Sequence, residues 1–88
     1  MIVLDITMPI ASDWPTHEEL IARNAVEATL KVAGVGECTG AGGGMGQMHL
    51  TYRVDSESAV SASRAIIDEA MATNMPGFQF EVRVHREG

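Results

Sequence analysis

The chain has 88 residues, of which 45% are hydrophobic and 20% are charged, as in an ordinary globular domain. Its twelve acidic and six basic residues give a formal net charge of −6, which argues against nucleic acid or an anionic membrane surface as a partner. No stretch approaches the apolar length that a membrane span needs, and the N-terminus carries no basic region ahead of its apolar run. We therefore expect a single cytoplasmic domain over residues 1–88.

The first predicted strand covers residues 2–8, where apolar positions alternate with mixed ones. A connection with two prolines follows, and Thr16 with Glu19 then has the spacing of a helix capping box. The sequence predicts a helix from about residue 17 to residue 33 that Gly34 ends. The predicted buried face of this helix comprises Ile21, Ala25, Val26, Thr29, Leu30 and Ala33.

Glycine is concentrated in one segment, because seven of the nine glycines lie within residues 34–46. The period-two pattern of residues 47–54 predicts a strand, and residues 35–41 are expected to pair with it across a turn at Gly42–Gly44. In this register the even-numbered positions of the glycine segment, including Cys38, share a face with Met48 and Leu50. The helix-facing side of the first arm would then carry almost no side chains.

Asp55 and Ser56 offer the next helix N-cap, and a second helix is predicted over residues 56–74. Its predicted buried face comprises Ala59, Val60, Ser63, Ile66, Ile67, Ala70 and Met71. Residues 78–84 alternate again and predict the last strand, with Phe78, Phe80, Val82 and Val84 facing inwards. We expect the last three residues, 86–88, to fray.

The predicted order of elements is β-α-β-β-α-β, the split βαβ arrangement of ferredoxin-like domains. Right-handed crossovers would give a two-layer α+β sandwich. Its four-stranded antiparallel sheet has the order 4-1-3-2, and both helices cover one face. Because one fold supports many activities, this topology implies no function by itself.

The glycine segment is a candidate ligand site, because bare backbone amides can cradle a small molecule or anion. The candidate ligand-binding residues are Gly40, Gly42, Gly43, Gly44 and Gly46. The segment lacks the lysine and hydroxyl residue of a phosphate-binding loop and the spacing of a dinucleotide fingerprint, and it leads into a strand. Hairpin geometry is therefore the favoured explanation, and a ligand cradle is the alternative.

The uncovered face of the predicted sheet offers one catalytic hypothesis, in which Asp5 orients the imidazole of His49 as a base. The favoured interpretation is a solvated face with cross-strand charge pairs. His17 and His85 are isolated from each other in sequence and give no metal-ligand spacing. The sequence thus predicts neither a metal nor a cofactor.

Three further residues carry alternative interpretations. Cys38, the only cysteine, cannot form an internal disulfide, and we expect a small buried side chain in preference to a reactive thiol. Trp14 in the first loop is either a lid over one end of the core, which is favoured, or an exposed interface anchor. Met75 is expected at an exposed end of the sheet.

The leading functional hypothesis is a small non-enzymatic interaction or regulatory module that contacts a protein partner through its open sheet face or an edge strand. A homodimer is the default expectation. The predicted interface residues are Trp14, Thr51, Arg53, Glu81 and Arg83. The alternatives are a small-molecule or anion-binding domain that uses residues 40–46, and an enzyme or accessory subunit that uses Asp5 and His49.

Overall fold

The computed structural model describes residues 1–86. Their elements are β1 (Ile2–Pro9), α1 (His17–Val32), β2 (Glu37–Gly44), β3 (Gln47–Val54), α2 (Glu57–Asn74) and β4 (Glu81–Arg86). The strands form one antiparallel sheet in the order β2-β3-β1-β4. This is the predicted ferredoxin-like α+β topology, with β2 and β4 at the two edges of the sheet.

The hydrophobic core lies between the two helices and one face of the sheet. Even-numbered residues of the central strands face the helices, as predicted, and these residues have no exposed surface: Leu4, Ile6, Met8, Met48 and Leu50. Val26 and Leu30 of α1 and Ile67 and Met71 of α2 belong to the same cluster. Odd-numbered residues of β1 and β3 consequently point to the opposite, open face of the sheet.

Side-chain caps define the first residues of both helices. Thr16 Oγ1 accepts a hydrogen bond from the Glu19 amide at 3.1 Å, and Glu19 Oε1 accepts one from the Thr16 amide at 2.7 Å. This is the predicted capping box. Ser56 Oγ accepts from the Ala59 amide at 3.3 Å at the start of α2. Both helices therefore begin within a residue of the predicted positions.

The buried face of α1 differs from the prediction. Ile21 is 55% exposed, and Thr29 and Ala33 are also exposed. The row that packs inwards is Leu20, Arg23, Val26 and Leu30, at spacings of three, three and four residues. Because this row contains the charged Arg23, a prediction from hydrophobic periodicity alone wrongly places Ile21, the neighbour of Leu20, on the buried face.

The β2–β3 hairpin turns two residues later than predicted. Its central residues are Met45 and Gly46, with φ angles of 54° and 81°. Positive φ at both central residues is what a type I′ hairpin turn requires. A bulge lies between Cys38 and Gly40, because these two residues pair with consecutive residues of β3. The extra residue reverses the facing of the remainder of β2, from Gly40 to Gly44.

As a result of the bulge, Ala41 and Gly43 lie opposite Leu50 and Met48 on the helix-facing side. The even-numbered glycines of β2 lie on the open face, contrary to the prediction. The helix-facing side of this arm still has very small side chains, as expected, but a different set of residues provides them.

The C-terminal strand begins at Glu81 and not at residue 78. Phe78 instead donates its amide to Met75 O at 3.1 Å in a turn, and Met75 is 1% exposed, which corrects the prediction of an exposed methionine. Arg86 belongs to β4 and donates to the Glu57 carboxylate of α2 at 2.7–2.9 Å, so this residue is not frayed. The other two residues predicted to fray, 87 and 88, lie outside the described residues.

Candidate functional site

Polar side chains on the open sheet face bind one another. The pairs are Arg53 with Glu37, Thr51 with Asp5, and Arg83 with Glu81. Exposed pairs of this kind stabilise a fold only slightly, but they occupy the groups that a partner would otherwise contact. Each predicted interface residue of the sheet therefore already has a partner within the chain.

The structure does not bring Asp5 and His49 together as a catalytic pair. The strand register places Asp5 opposite Thr51, and Thr51 Oγ1 donates to Asp5 Oδ1 at 3.0 Å. His49 lies opposite Thr7 and packs over Gly42, where an added β-carbon would be 2.7 Å from the imidazole ring. The geometry gives the catalytic hypothesis no support, because a general base needs an orienting group within hydrogen-bond reach.

Side chains of the protein itself fill the space beside the glycine segment. A β-carbon on Gly43 would be 2.8 Å from the Pro15 ring, and one on Gly44 would be 2.9 Å from the Trp14 ring. His49 covers Gly42 in the same way. Close packing against the backbone thus explains why glycine is needed at these positions, and this supports the structural interpretation of the segment.

Trp14 is 71% exposed, so it is not the lid over the core that the sequence favoured. Its loop is held to the hairpin turn by hydrogen bonds from the Gly46 amide to Asp13 O at 3.0 Å and from the Ile10 amide to Gly46 O at 2.9 Å. Met45 in the turn is 94% exposed. Trp14 and Met45 therefore form an exposed apolar end of the molecule.

The outer edge of β2 presents backbone groups that no strand within residues 1–86 pairs with. Ile10 and Gly46 continue the β1–β3 register by one pair, and the Ile10 amide donates to Gly46 O. From the alternation of antiparallel pairs we infer that the even-numbered residues of β3 point their backbone groups towards β1. Odd-numbered residues of β3 then bond to β2, which engages Gly42 and leaves Ala41 and Gly43 with outward-pointing amides and carbonyls.

The two edge strands differ in how they are protected. β4 carries charged residues at Glu81, Arg83 and Arg86 within its six positions, and charges of this kind discourage pairing with another chain. β2 has eight residues and a single charged one, Glu37, with no lysine or proline. β2 is therefore the edge that is open to strand pairing.

Arg23 is the functional neighbour of β2 that the sequence reasoning missed. Its Nη1 donates to Gly42 O at 2.9 Å, and its buried Nε has no hydrogen-bond partner among the described residues. The small side chains on the helix-facing side of β2 leave room for this guanidinium. The signal in the sequence was a basic residue in phase with Leu20 and Val26 on the inner row of α1.

Within residues 1–86, no cluster of three or more His, Cys, Asp or Glu side chains is arranged to hold a metal ion. In the same part of the chain, none of the helices combines the length and apolar character needed to cross a membrane. Comparison of the sequence with protein-family models and with curated proteins gives no match.

Proposed function

We propose that this protein is a small interaction module that forms a homodimer through antiparallel pairing of β2 with β2 of a second copy. The observation that carries the proposal is the eight-residue edge strand with one charged residue and outward-pointing backbone groups at Ala41 and Gly43. Such an edge pairs readily with another strand. A two-fold axis between the two copies of β2 would join the two four-stranded sheets into one continuous sheet.

The distribution of charge on β2 favours a second copy as the occupant. Glu37 stands at one end of the strand, and the other end consists of glycines. Antiparallel pairing centred near Ala41 places Glu37 of each copy opposite the uncharged end of the other. The same strand therefore pairs with itself without bringing like charges together.

The open sheet face is the weaker candidate for the contact. Its charged groups are already paired within the chain, so a partner would have to displace those bonds. Trp14 and Met45 lie at the hairpin tip, next to the glycine end of β2. They supply apolar surface at the margin of the proposed contact, and tryptophan is among the residues that contribute most to the binding energy of protein interfaces.

Light scattering over a range of protein concentrations tests this function. We expect the mass of two chains at high concentration and of one chain on dilution. Ala41→Pro removes an outward amide without breaking the bonds between β2 and β3, so we expect dimerisation at least about tenfold weaker. Ala41→Ser keeps the amide and is the matched control. A single-chain mass at every concentration would contradict the homodimer, and an undiminished Ala41→Pro dimer would exclude β2.

A further inference from the structure

A cavity of about 340 Å³ lies between the C-terminal half of α1 and the start of β2. Its volume lies in the range of pockets that hold small molecules. Val35 and the ring of Tyr52 provide apolar walls, and Gly36 and Cys38 line the β2 side. Cys38 is exposed here, which corrects the prediction of a buried thiol.

The hydroxyl of Tyr52 is a buried polar group that lies beside the Cys38 thiol and makes no hydrogen bond of good geometry among the described residues. Tyr52 as a whole is 2% exposed. The neighbouring thiol of Cys38 donates instead to Gly40 O at 3.6 Å. Sulfur is only a weak hydrogen-bond partner, so this hydroxyl at the cavity wall keeps the capacity for the stronger hydrogen bond that a ligand would supply.

Two opposite charges stand at the cavity one helical turn apart. Glu27 and Lys31 both line it, and in the described part of the chain neither side chain takes part in an ion pair. The third charged residue of the lining, Glu37, is bound to Arg53. The cavity thus offers one unpaired anion and one unpaired cation.

We propose that this cavity binds a small zwitterion of the α-amino acid class. The ammonium group of the ligand pairs with Glu27, its carboxylate pairs with Lys31, and the Tyr52 hydroxyl completes the hydrogen bonds of its polar end. An apolar side chain of the ligand lies against Val35 and the Tyr52 ring. The binding energy comes mainly from charge-assisted hydrogen bonds in a partly enclosed site.

A ligand with only one charge fits this lining less well. A simple carboxylate would meet Glu27 and the net charge of −6, and a simple amine would meet Lys31 as a like charge. The site lies on the helix-facing side of the sheet, whereas the proposed dimer uses the outward amides of β2. The two proposals therefore stand or fall separately.

Amide chemical shifts of Gly36 and Cys38 during titration test the proposal, with each common α-amino acid added singly at millimolar concentration. We expect saturable shifts, led by an apolar amino acid such as leucine. Isopentylamine lacks the carboxylate of leucine and isocaproate lacks its ammonium, and we expect each to bind at least about tenfold more weakly. Equal binding of either compound would overturn the zwitterion, and no shift with any amino acid would overturn the site.

Variants separate a binding role from a structural one. Tyr52→Phe is expected to weaken binding about tenfold with little loss of stability, because within the protein the hydroxyl has only the weak contact with the Cys38 thiol. Glu27→Gln is expected to weaken binding of the amino acid by a similar factor, and Asp68→Asn on the exposed face of α2 is the matched control. Ala41→Pro is expected to bind normally even if it fails to dimerise. Unchanged affinity in Tyr52→Phe and Glu27→Gln would contradict the assignment.

Discussion

Individual glycines in the glycine-rich segment serve different physical purposes. Gly42 gives room to His49 and Gly44 gives room to Trp14, whereas Gly46 adopts the positive φ of the hairpin turn. Gly36 combines both demands, since its φ is +36° and an added β-carbon would collide with the backbone oxygen of Arg53. The cluster thus reflects several separate local constraints.

Gly36→Ala is predicted to destabilise the protein by at least about 3 kcal/mol, because left-handed strain adds to a collision with backbone that cannot move aside. Gly34→Ala is the control. Its φ is +78°, but no atom lies within 4 Å of the added carbon, so we expect a loss of only about 1 kcal/mol. Urea unfolding of both variants measures the difference, and equal losses would show that the collision is relieved.

Tyr52 gives the stability a dependence on alkaline pH. Burial, followed by the proximity of Cys38 and Glu27, raises the pKa of the Tyr52 hydroxyl above its ordinary value of 10.0. Above about pH 10 the unfolded chain releases this proton while the folded chain retains it. The stabilisation is therefore complete below that pH and declines as the pH rises towards the folded-state pKa.

We expect the urea midpoint to fall on the alkaline side of about pH 10 in the native protein and to fall less steeply in Tyr52→Phe. Asp68→Asn on the exposed face of α2 is the control and should retain the steep decline. Because Tyr52 is the only tyrosine, tyrosinate absorbance follows its ionisation without interference. If the native protein and Tyr52→Phe lose stability in parallel as the pH rises, ionisation of Tyr52 is not the cause of the alkaline decline.

At the level of elements, Arg23 of α1 joins β2 to the helix layer. Its hydrogen bond to Gly42 O links the edge strand to the helix across the gap that small side chains leave. One orphaned nitrogen of the same guanidinium offsets part of this stabilisation. The edge strand is therefore held mainly by its pairing with β3.

Arg23→Met is predicted to lower the global stability by only about 1 kcal/mol, because methionine keeps an unbranched apolar side chain at this half-buried position while the hydrogen bond is lost. Its main effect should be faster amide hydrogen exchange in β2, with little change in β1. Arg64→Met, on an exposed position of α2, is the matched control. Exchange that accelerates equally in every strand would argue against a local role of Arg23.

Regular alternation made most of the fold predictable from the sequence. The even-numbered residues of β1 and β3, both helix starts and the strand order follow from hydrophobic period and capping. The bulge at Cys38–Gly40 and the late turn could not be predicted in this way, because glycines carry no side-chain pattern that fixes a strand register. The roles of Arg23 and of the buried Tyr52 hydroxyl were not predictable, since both depend on neighbours that are distant in sequence.

At the scale of the whole molecule, like charge opposes association. Each copy carries a formal charge of −6, and the contact proposed for β2 contains few ion pairs of its own. At moderate ionic strength, salt largely screens the repulsion between exposed charges that are more than about 10 Å apart. We predict that the dimer dissociation constant decreases as sodium chloride is raised from low to physiological concentration.

Sedimentation equilibrium at several salt concentrations measures this dependence. Glu69→Gln removes one negative charge from each copy on α2, away from β2, and should strengthen association slightly at low salt and not at high salt. If salt weakens the dimer, its contact depends on ion pairs, as expected for the open sheet face and not for the edge strand.

The only tryptophan of the chain rests on the glycine backbone at the hairpin tip, outside the core. Its emission colour in the native protein will therefore already resemble that of a solvated indole. Intrinsic fluorescence will report on events at this tip, including contact with another molecule, before it reports on global denaturation. Far-ultraviolet circular dichroism is consequently the better spectroscopic monitor of the sandwich as a whole.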